Sequence, residues 1–325
     1  MSEIIKNRSE IVFLYDIKDA NPNGDPLDEN KPRIDEEAGI NIVTDVRLKR
    51  TIRDYLYNFK GEEIFVREIA DENGIIQDAK QRANNFLEKT DIKDKGFNEQ
   101  KDEIKKTILE KCIDVRLFGA TIPLDISVKK GNKTESVTGS ITLTGPVQFR
   151  MGRSLHKVEL KHIKGTGAFA AGKGARQKTF REEDILPYSL ISFYGIINEN
   201  AAHHTKLCED DISLLLEGIW NGTKNLISRS KAGQMPRLLL KVNYKEENYH
   251  LGDLDKLIKI KDIENIPEEK IRDIGNIELD ASELVEILNS NEEKIESIDL
   301  KIDERLKINM EGLDTSIKIN SISFI

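Results

Sequence analysis

The chain has 325 residues, of which 38 % are apolar and 33 % charged, with a net charge of −8 at pH 7. At ~150 residues per domain that is about two units, or one domain with large insertions, holding enough apolar material for a real core. No run nears ~18 apolar residues, MSEIIKNRSE is no secretory leader, and Cys112 and Cys208 cannot make a disulfide framework or a four-thiolate zinc site, so a soluble, cytoplasmic protein is expected.

In chain order, IVFLYD (11–16) barely alternates and reads as a strand buried on both faces. It runs into DANPNGDPLDENKPR (19–33), which is dense in turn residues. Thr44 is expected to cap a helix with Asp45 in its first turn, ending near Phe59. On that helix Leu48, Ile52, Tyr55, Leu56 and Phe59 share one face, while Arg47, Arg50 and Arg53 line another. Glu63–Glu68 alternates and reads as a strand. Residues 71–112 hold nine Lys/Arg and ten Asp/Glu and read as an exposed helical insertion with little core of its own. SVTGSITLTGPVQF (136–149) is β-branched and strand-like. Later elements are a strand near 188–197, a helix Glu209–Leu226, the turn SRSKAGQMPR (228–237), a strand Arg237–Tyr244, and a tail of short strands with a helix near Ser282–Asn289. This order predicts an α+β architecture on the split-βαβ, ferredoxin-like plan, with helices on one face of an antiparallel sheet.

The charge is unevenly spread. Phe149–Arg181 carries nine Lys/Arg against one acid, and five glycines, whereas Lys245–Ile325 has 21 acids and 11 bases. A local basic ribbon attracts phosphates even in an acidic protein, because distant charge is screened beyond ~8–10 Å. Three basic features recur: the helix stripe, the ribbon, and the 228–237 turn. Together they suit a surface that tracks phosphates without reading bases.

Other chemistry is thinly supported. GAFAAGKG (167–174) ends in Gly174 where a phosphate-binding loop needs Ser or Thr. DANPNGD (19–25) starts like a calcium loop but has Asn30 where the bidentate Glu belongs. His203 and His204 near Cys208 lack the further ligands of a zinc site. Asp16, Asp19, Asp25 and Asp28 surround one loop, and a metal-dependent ribonuclease built on them is the enzymatic alternative. Carboxylates in turns more often bind local backbone N–H groups, and no metal or cofactor is expected.

The ordered blocks NPNGDP (21–26), VTDVRLKRTIRDYL (43–56), GPVQFRMGRSLH (145–156) and SRSKAGQMPRLLLKV (228–242) resemble the backbone subunit of type I CRISPR surveillance complexes, nearest the type I-B branch. The resemblance spans about residues 9–245. It implies a modified RNA-recognition-type (RRM), ferredoxin-like palm, a helical fingers insertion and a β-hairpin thumb. The palm would be 1–69 and 183–325, with 136–149 as a palm strand, the fingers 70–135 and the thumb 150–182. It further implies that copies polymerise along CRISPR guide RNA within Cascade, beside other subunits, and present it to target DNA. The implied RNA contacts are Asn21 and Asn23, then Arg47, Lys49, Arg50 and Arg53, then Arg150, Arg153, His156 and Lys157. Arg176 and Lys178 in the thumb follow, with Ser228, Arg229, Lys231, Gln234 and Arg237 in the glycine-bearing loop. The aromatic signature of ordinary RNA-recognition domains is absent, so stacking of bases on the sheet is not implied. Related type III subunits carry a catalytic acid, and the sequence around Asp25 does not match theirs.

Overall fold

The computed structural model describes residues 3–87, 95–130, 133–170, 178–228, 230–261 and 266–324. Its centre is the strand Ser9–Ala20, which lies antiparallel between Lys178–Ile197 and Met235–Tyr244, so that Phe13 faces Phe193 on one side and Leu239 on the other. Gly152–Lys157 and then Ile40–Val43 extend the sheet beyond the long strand. Val147–Phe149 pairs with the far end of that long strand. On the other flank Ile295–Ile302 and Ile319–Ser321 complete it.

The lack of alternation in the first strand now has its cause. Ile11, Phe13 and Tyr15 belong to one core, under the helices Asp45–Lys60 and Glu209–Lys224. Val12 and Leu14 belong to a second core on the opposite face. That face is covered by the C-terminal segment, including Leu254, Ile258, Ile274, Leu284 and Ile317. The expectation of helices on one face is therefore corrected: the helix Ser282–Ser290 covers the opposite face through Leu284 and Leu288, because the strands bury both of their faces.

Thr44 caps the first helix by accepting from the Arg47 N–H, and Gly61, at φ 71°, ends it in the left-handed region. The second helix lies close against the first through its glycines. A Cβ on Gly218 would stand 3.0 Å from Ile52 Cγ2, and one on Gly222 3.0 Å from Tyr55 Cβ.

Between these helices in sequence lies an insertion that differs from expectation. Helices Ala79–Leu87, Phe97–Lys111 and Ile113–Phe118 pack on a hairpin of Gly119–Lys130 and Lys133–Thr144, around Phe86, Ile104, Ile108, Ile122, Leu124 and Ile126. The insertion therefore has a core of its own. Its apolar half comes from the hairpin, downstream of the charged stretch. Glu63–Glu68 forms no strand, because its N–H groups go elsewhere. Phe65 N–H and Val66 N–H donate to the fully buried Asp114 carboxylate at 2.8 and 3.1 Å, and Arg53 Nε does so at 3.0 Å.

The strand-like stretch 136–149 divides at Gly145. Up to Thr144 it pairs with Gly119–Lys130, and only Val147–Phe149 joins the main sheet. The basic ribbon holds Gly152–Lys157 and a hairpin in which Lys161–Ala170 pairs with the start of Lys178–Ile197. The GAFAAGKG stretch runs beyond this hairpin strand into residues outside the described ones. In the tail, Lys259–Ile260, Glu278–Asp280 and Lys307–Asn309 make a small sheet beside the helix Ser282–Ser290. No helix among the described residues is long and apolar enough to cross a membrane.

Candidate nucleic-acid interface

The NPNG turn ties two basic elements together. Asn23 Oδ1 accepts from Thr44 N–H at 2.8 Å and from Thr44 Oγ1 at 2.9 Å, fixing the start of the first helix. Asn21 Nδ2 donates to Asn30 O at 2.7 Å, and Asn21 N–H to Ser230 O at 2.8 Å, fixing the glycine-bearing loop. Gly233 supplies that loop's turn at φ 84°.

This bracing sets Arg47 and Lys231 near one another. Both are half-buried. Burial, then the Arg47 charge, pushes the Lys231 amine below the ordinary lysine range. Burial likewise lowers the Arg47 guanidinium. Arg47 donates to Thr51 Oγ1 at 3.1 Å and Lys231 to Ser230 Oγ at 3.4 Å, both neutral acceptors. Among the described residues neither forms an ion pair. Two desolvated like charges at one place are unfavourable until an anion joins them. Asn21 Oδ1 and Gln234 Nε2, in the same bracing, are buried without a hydrogen-bond partner among the described residues.

The remaining cations fall into two groups. At the surface, Arg50 binds Asp54, Arg153 binds Asp35, and Arg150 binds Asp253 at 2.5 Å while lying on the Tyr194 ring. Lys49, less exposed, binds Asp45 at 3.0 Å, and Lys157 and Ser228 are exposed. Exposed pairs are worth only ~0–1 kcal/mol, so an arriving phosphate displaces such carboxylates readily. In the interior, Arg53 is fixed on Asp114, and Arg237, 5 % exposed, spans Asp16 at 2.9 Å and Asp303 at 2.6 Å. His156 is buried, stacked on Tyr188, with Nδ1 on Lys157 O at 2.7 Å and Nε2 accepting from Leu190 N–H at 3.2 Å. Gln234 is buried too. Arg176 and Arg229 lie outside the described residues, as does the Lys178 side chain. Tyr194, the platform under Arg150, was not singled out by sequence; its only signal is its place on the same strand face as Tyr188 and Leu190.

The four loop carboxylates do not converge. Asp16 is buried between Arg237 and Tyr188, Asp25 binds Arg33, and Asp28 binds Lys31. Asp19 is exposed at φ 49°. Among the described residues no group of three or more His, Cys, Asp or Glu could hold a metal ion. His203 and His204 are exposed, and Cys208 Sγ donates to Asp211.

By architecture this is a mixed α/β protein of the kind found in two solved assemblies. One, a CRISPR RNA-guided surveillance complex in a pre-nicking state, contains a chain that aligns at TM-score 0.53 and 11 % identity over 97 % of this chain and 96 % of that one. Another CRISPR RNA-guided surveillance complex aligns at TM-score 0.50 and 12 % identity over 98 % and 95 %. The family CRISPR-associated protein Cas7 matches residues 7–282. A Cas7 from Haloferax volcanii is 34 % identical over 323 residues, covering 94 % of this chain and 89 % of its own. The chain belongs to the Cas7 family.

Proposed function

We propose that this chain is the non-enzymatic, RNA-binding backbone of a Cascade surveillance complex in antiviral defence. Copies line up along CRISPR guide RNA, contact other Cascade subunits, and hold the guide for pairing with target DNA. The observation that carries this reading is the Arg47–Lys231 couple, two half-buried cations whose side chains bond hydroxyls and form no ion pair among the described residues. Backbone phosphate fits that couple and carries no sequence, as a subunit that must hold any guide requires. Lys49, Arg50, Arg150, Arg153 and Lys157 extend the track by exchanging carboxylates for phosphates. Asn21, Asn23 and Ser228 shape it, with Arg176, Lys178 and Arg229 as further contacts. Arg53, His156, Gln234 and Arg237 brace it from within.

The order Met235–Tyr244, Ser9–Ala20, Lys178–Ile197, Gly152–Lys157, with two helices on one face, supports the RRM-like, ferredoxin-like palm of 1–69 and 183–325. Palm strand 136–149 is then narrowed to 147–149, and the fingers of 70–135 extend to Thr144, because Lys133–Thr144 pairs only with Gly119–Lys130. The paired strands at 161–170 and 178–185 support a thumb at 150–182. The four sequence blocks support the type I-B branch. Non-catalysis is supported by the partnered Asp16, Asp25 and Asp28.

Size-exclusion chromatography with light scattering and the A260/A280 ratio, before and after RNase and high salt, tests the reading. RNA-bearing assemblies that shrink on either treatment are expected. Arg47→Ala with Lys231→Ala should weaken single-stranded RNA binding about equally for all sequences and flatten its salt slope by roughly 0.7 per lost phosphate contact. Cleavage of labelled RNA with Mg²⁺ or Mn²⁺, abolished by Asp25→Asn, would overturn the non-enzymatic reading.

A further inference from the structure

One member of the Arg47–Lys231 couple is a nucleophile as well as a cation. An exposed lysine amine is protonated at neutral pH and does not attack carbonyl groups, and a carboxylate partner holds the proton on it. Lys60 on Glu217 and Lys241 on Asp299 are held in that way. Lys231 is placed otherwise. Its backbone N–H is fixed on Ser228 O at 3.1 Å, in the turn that Asn21 braces through Ser230 O. Its amine bonds the Ser230 hydroxyl, a group that can accept from an ammonium or donate to a free amine. The next two residues, Ala232 and Gly233, are exposed and carry no long side chain to cover it.

Desolvation and a neighbouring cation are the two devices that turn a lysine into a nucleophile, and both act here. Burial and the Arg47 charge disfavour the ammonium, so more of Lys231 is free amine than of an exposed lysine.

We infer that Lys231 is an acyl-acceptor site whose reagent is a small acyl phosphate docked by Arg47, and that acylation there takes the copy out of guide binding. The inference rests on the proposed function above. Arg47 bonds the Thr51 hydroxyl and forms no ion pair among the described residues, so its guanidinium takes the reagent's phosphate oxygens. That docking brings the acyl carbon, one oxygen away from phosphorus, to the amine. The Lys231 Nζ lone pair attacks this carbon and a C–N bond forms. The C–O bond to phosphate breaks, its electron pair leaves on the phosphate oxygen, and the proton shed by nitrogen goes to that phosphate. Nothing is oxidised or reduced. The product is a neutral amide, which ends the repulsion of Arg47 and leaves a guide phosphate one cation in place of two. A guide phosphate already bound covers both residues, so only a copy without guide is modified.

The test follows acetylation of the full chain by acetyl phosphate, with each lysine peptide quantified by mass spectrometry. Lys231 should react at least tenfold faster than the exposed Lys6 and Lys224. Inorganic phosphate should slow Lys231 alone, and Arg47→Met should do the same. A phosphate-free acetyl thioester should give a smaller lead, untouched by inorganic phosphate. A Lys231 rate no higher than those of Lys6 and Lys224 overturns the acceptor site. A lead that neither inorganic phosphate nor a folded Arg47→Met lowers overturns the acyl phosphate as its reagent; if Arg47→Met misfolds, the competition in wild type decides. Wild type with Lys231 fully acetylated should bind single-stranded RNA about tenfold more weakly, while Lys231→Arg, treated alike, should keep its own starting affinity within twofold. Equal losses in the two overturn the link to guide binding. Fast acetylation of Lys231 that saturating RNA leaves unchanged overturns the RNA track at this residue and leaves the acceptor site standing.

Discussion

Lys231 is held where its charge costs most, and its removal separates stability from function. Replacing it with Met relieves repulsion against Arg47, so the melting temperature is expected to stay level or rise while RNA affinity falls roughly tenfold, the worth of about 1.4 kcal/mol. A neighbouring ion network behaves oppositely. Burial alone would raise the Asp303 carboxyl, but hydrogen bonds from Arg305 and Arg237 outweigh it and hold the group at about 2. A depressed carboxylate stabilises the fold above its unfolded value near 3.8, and that contribution is lost as pH falls toward 2. Asp303→Asn should therefore cost about 2 kcal/mol at neutral pH. The gap from wild type should close between about pH 4 and pH 2, as denaturant melts across that range would report.

Elements differ in how plainly their sequences announced them. The first helix was legible because its cap, apolar face and closing glycine lie within 18 residues, Thr44 to Gly61. Glu63–Glu68 was misread because the group that claims its N–H donors, Asp114, lies 49 residues from Phe65. The insertion looked coreless for the same reason, since its apolar partners, Ile122 to Val128, follow the charged helices. The basic stripe was legible as charge but not as geometry. Nothing near Arg53 or Arg237 in sequence says that Asp114 and Asp16 will draw them inward, whereas Arg47 bonds Thr51 and forms no ion pair among the described residues. The contact between the two long helices is equally specific: Gly222→Ala puts a methyl 3.0 Å from Tyr55 Cβ and 3.2 Å from Thr51 O. A loss of roughly 1–3 kcal/mol in chemical denaturation is expected, against a small gain were that helix face open.

At the scale of the whole molecule, the sheet is a partition between two cores. The C-terminal segment is bound to it by Glu10, a fully buried carboxylate that accepts from Tyr194 and Tyr244 hydroxyls and from Leu251 and Gly252 N–H at 3.0 and 2.9 Å. Ending the chain after Tyr244 would strip the cover from Val12, Leu14, Tyr188, Leu190 and Leu240. Such a chain is expected to aggregate or bind a hydrophobic dye strongly. Glu10→Gln in the full chain should instead loosen residues 251–255, visible as faster amide exchange there.

The central strand precedes both of its neighbours in the chain, and these begin after residue 177. On a growing chain, IVFLY must wait unpaired through the synthesis of most of the protein, while Gly119–Lys130 and Lys133–Thr144, adjacent in sequence, close at once. The insertion can thus take its final form before the main sheet does, and the proposed RNA track comes late, since Lys231 is placed only when the chain returns to Asn21. A half-made chain offers no finished groove, so under the proposed function a guide is captured by completed copies.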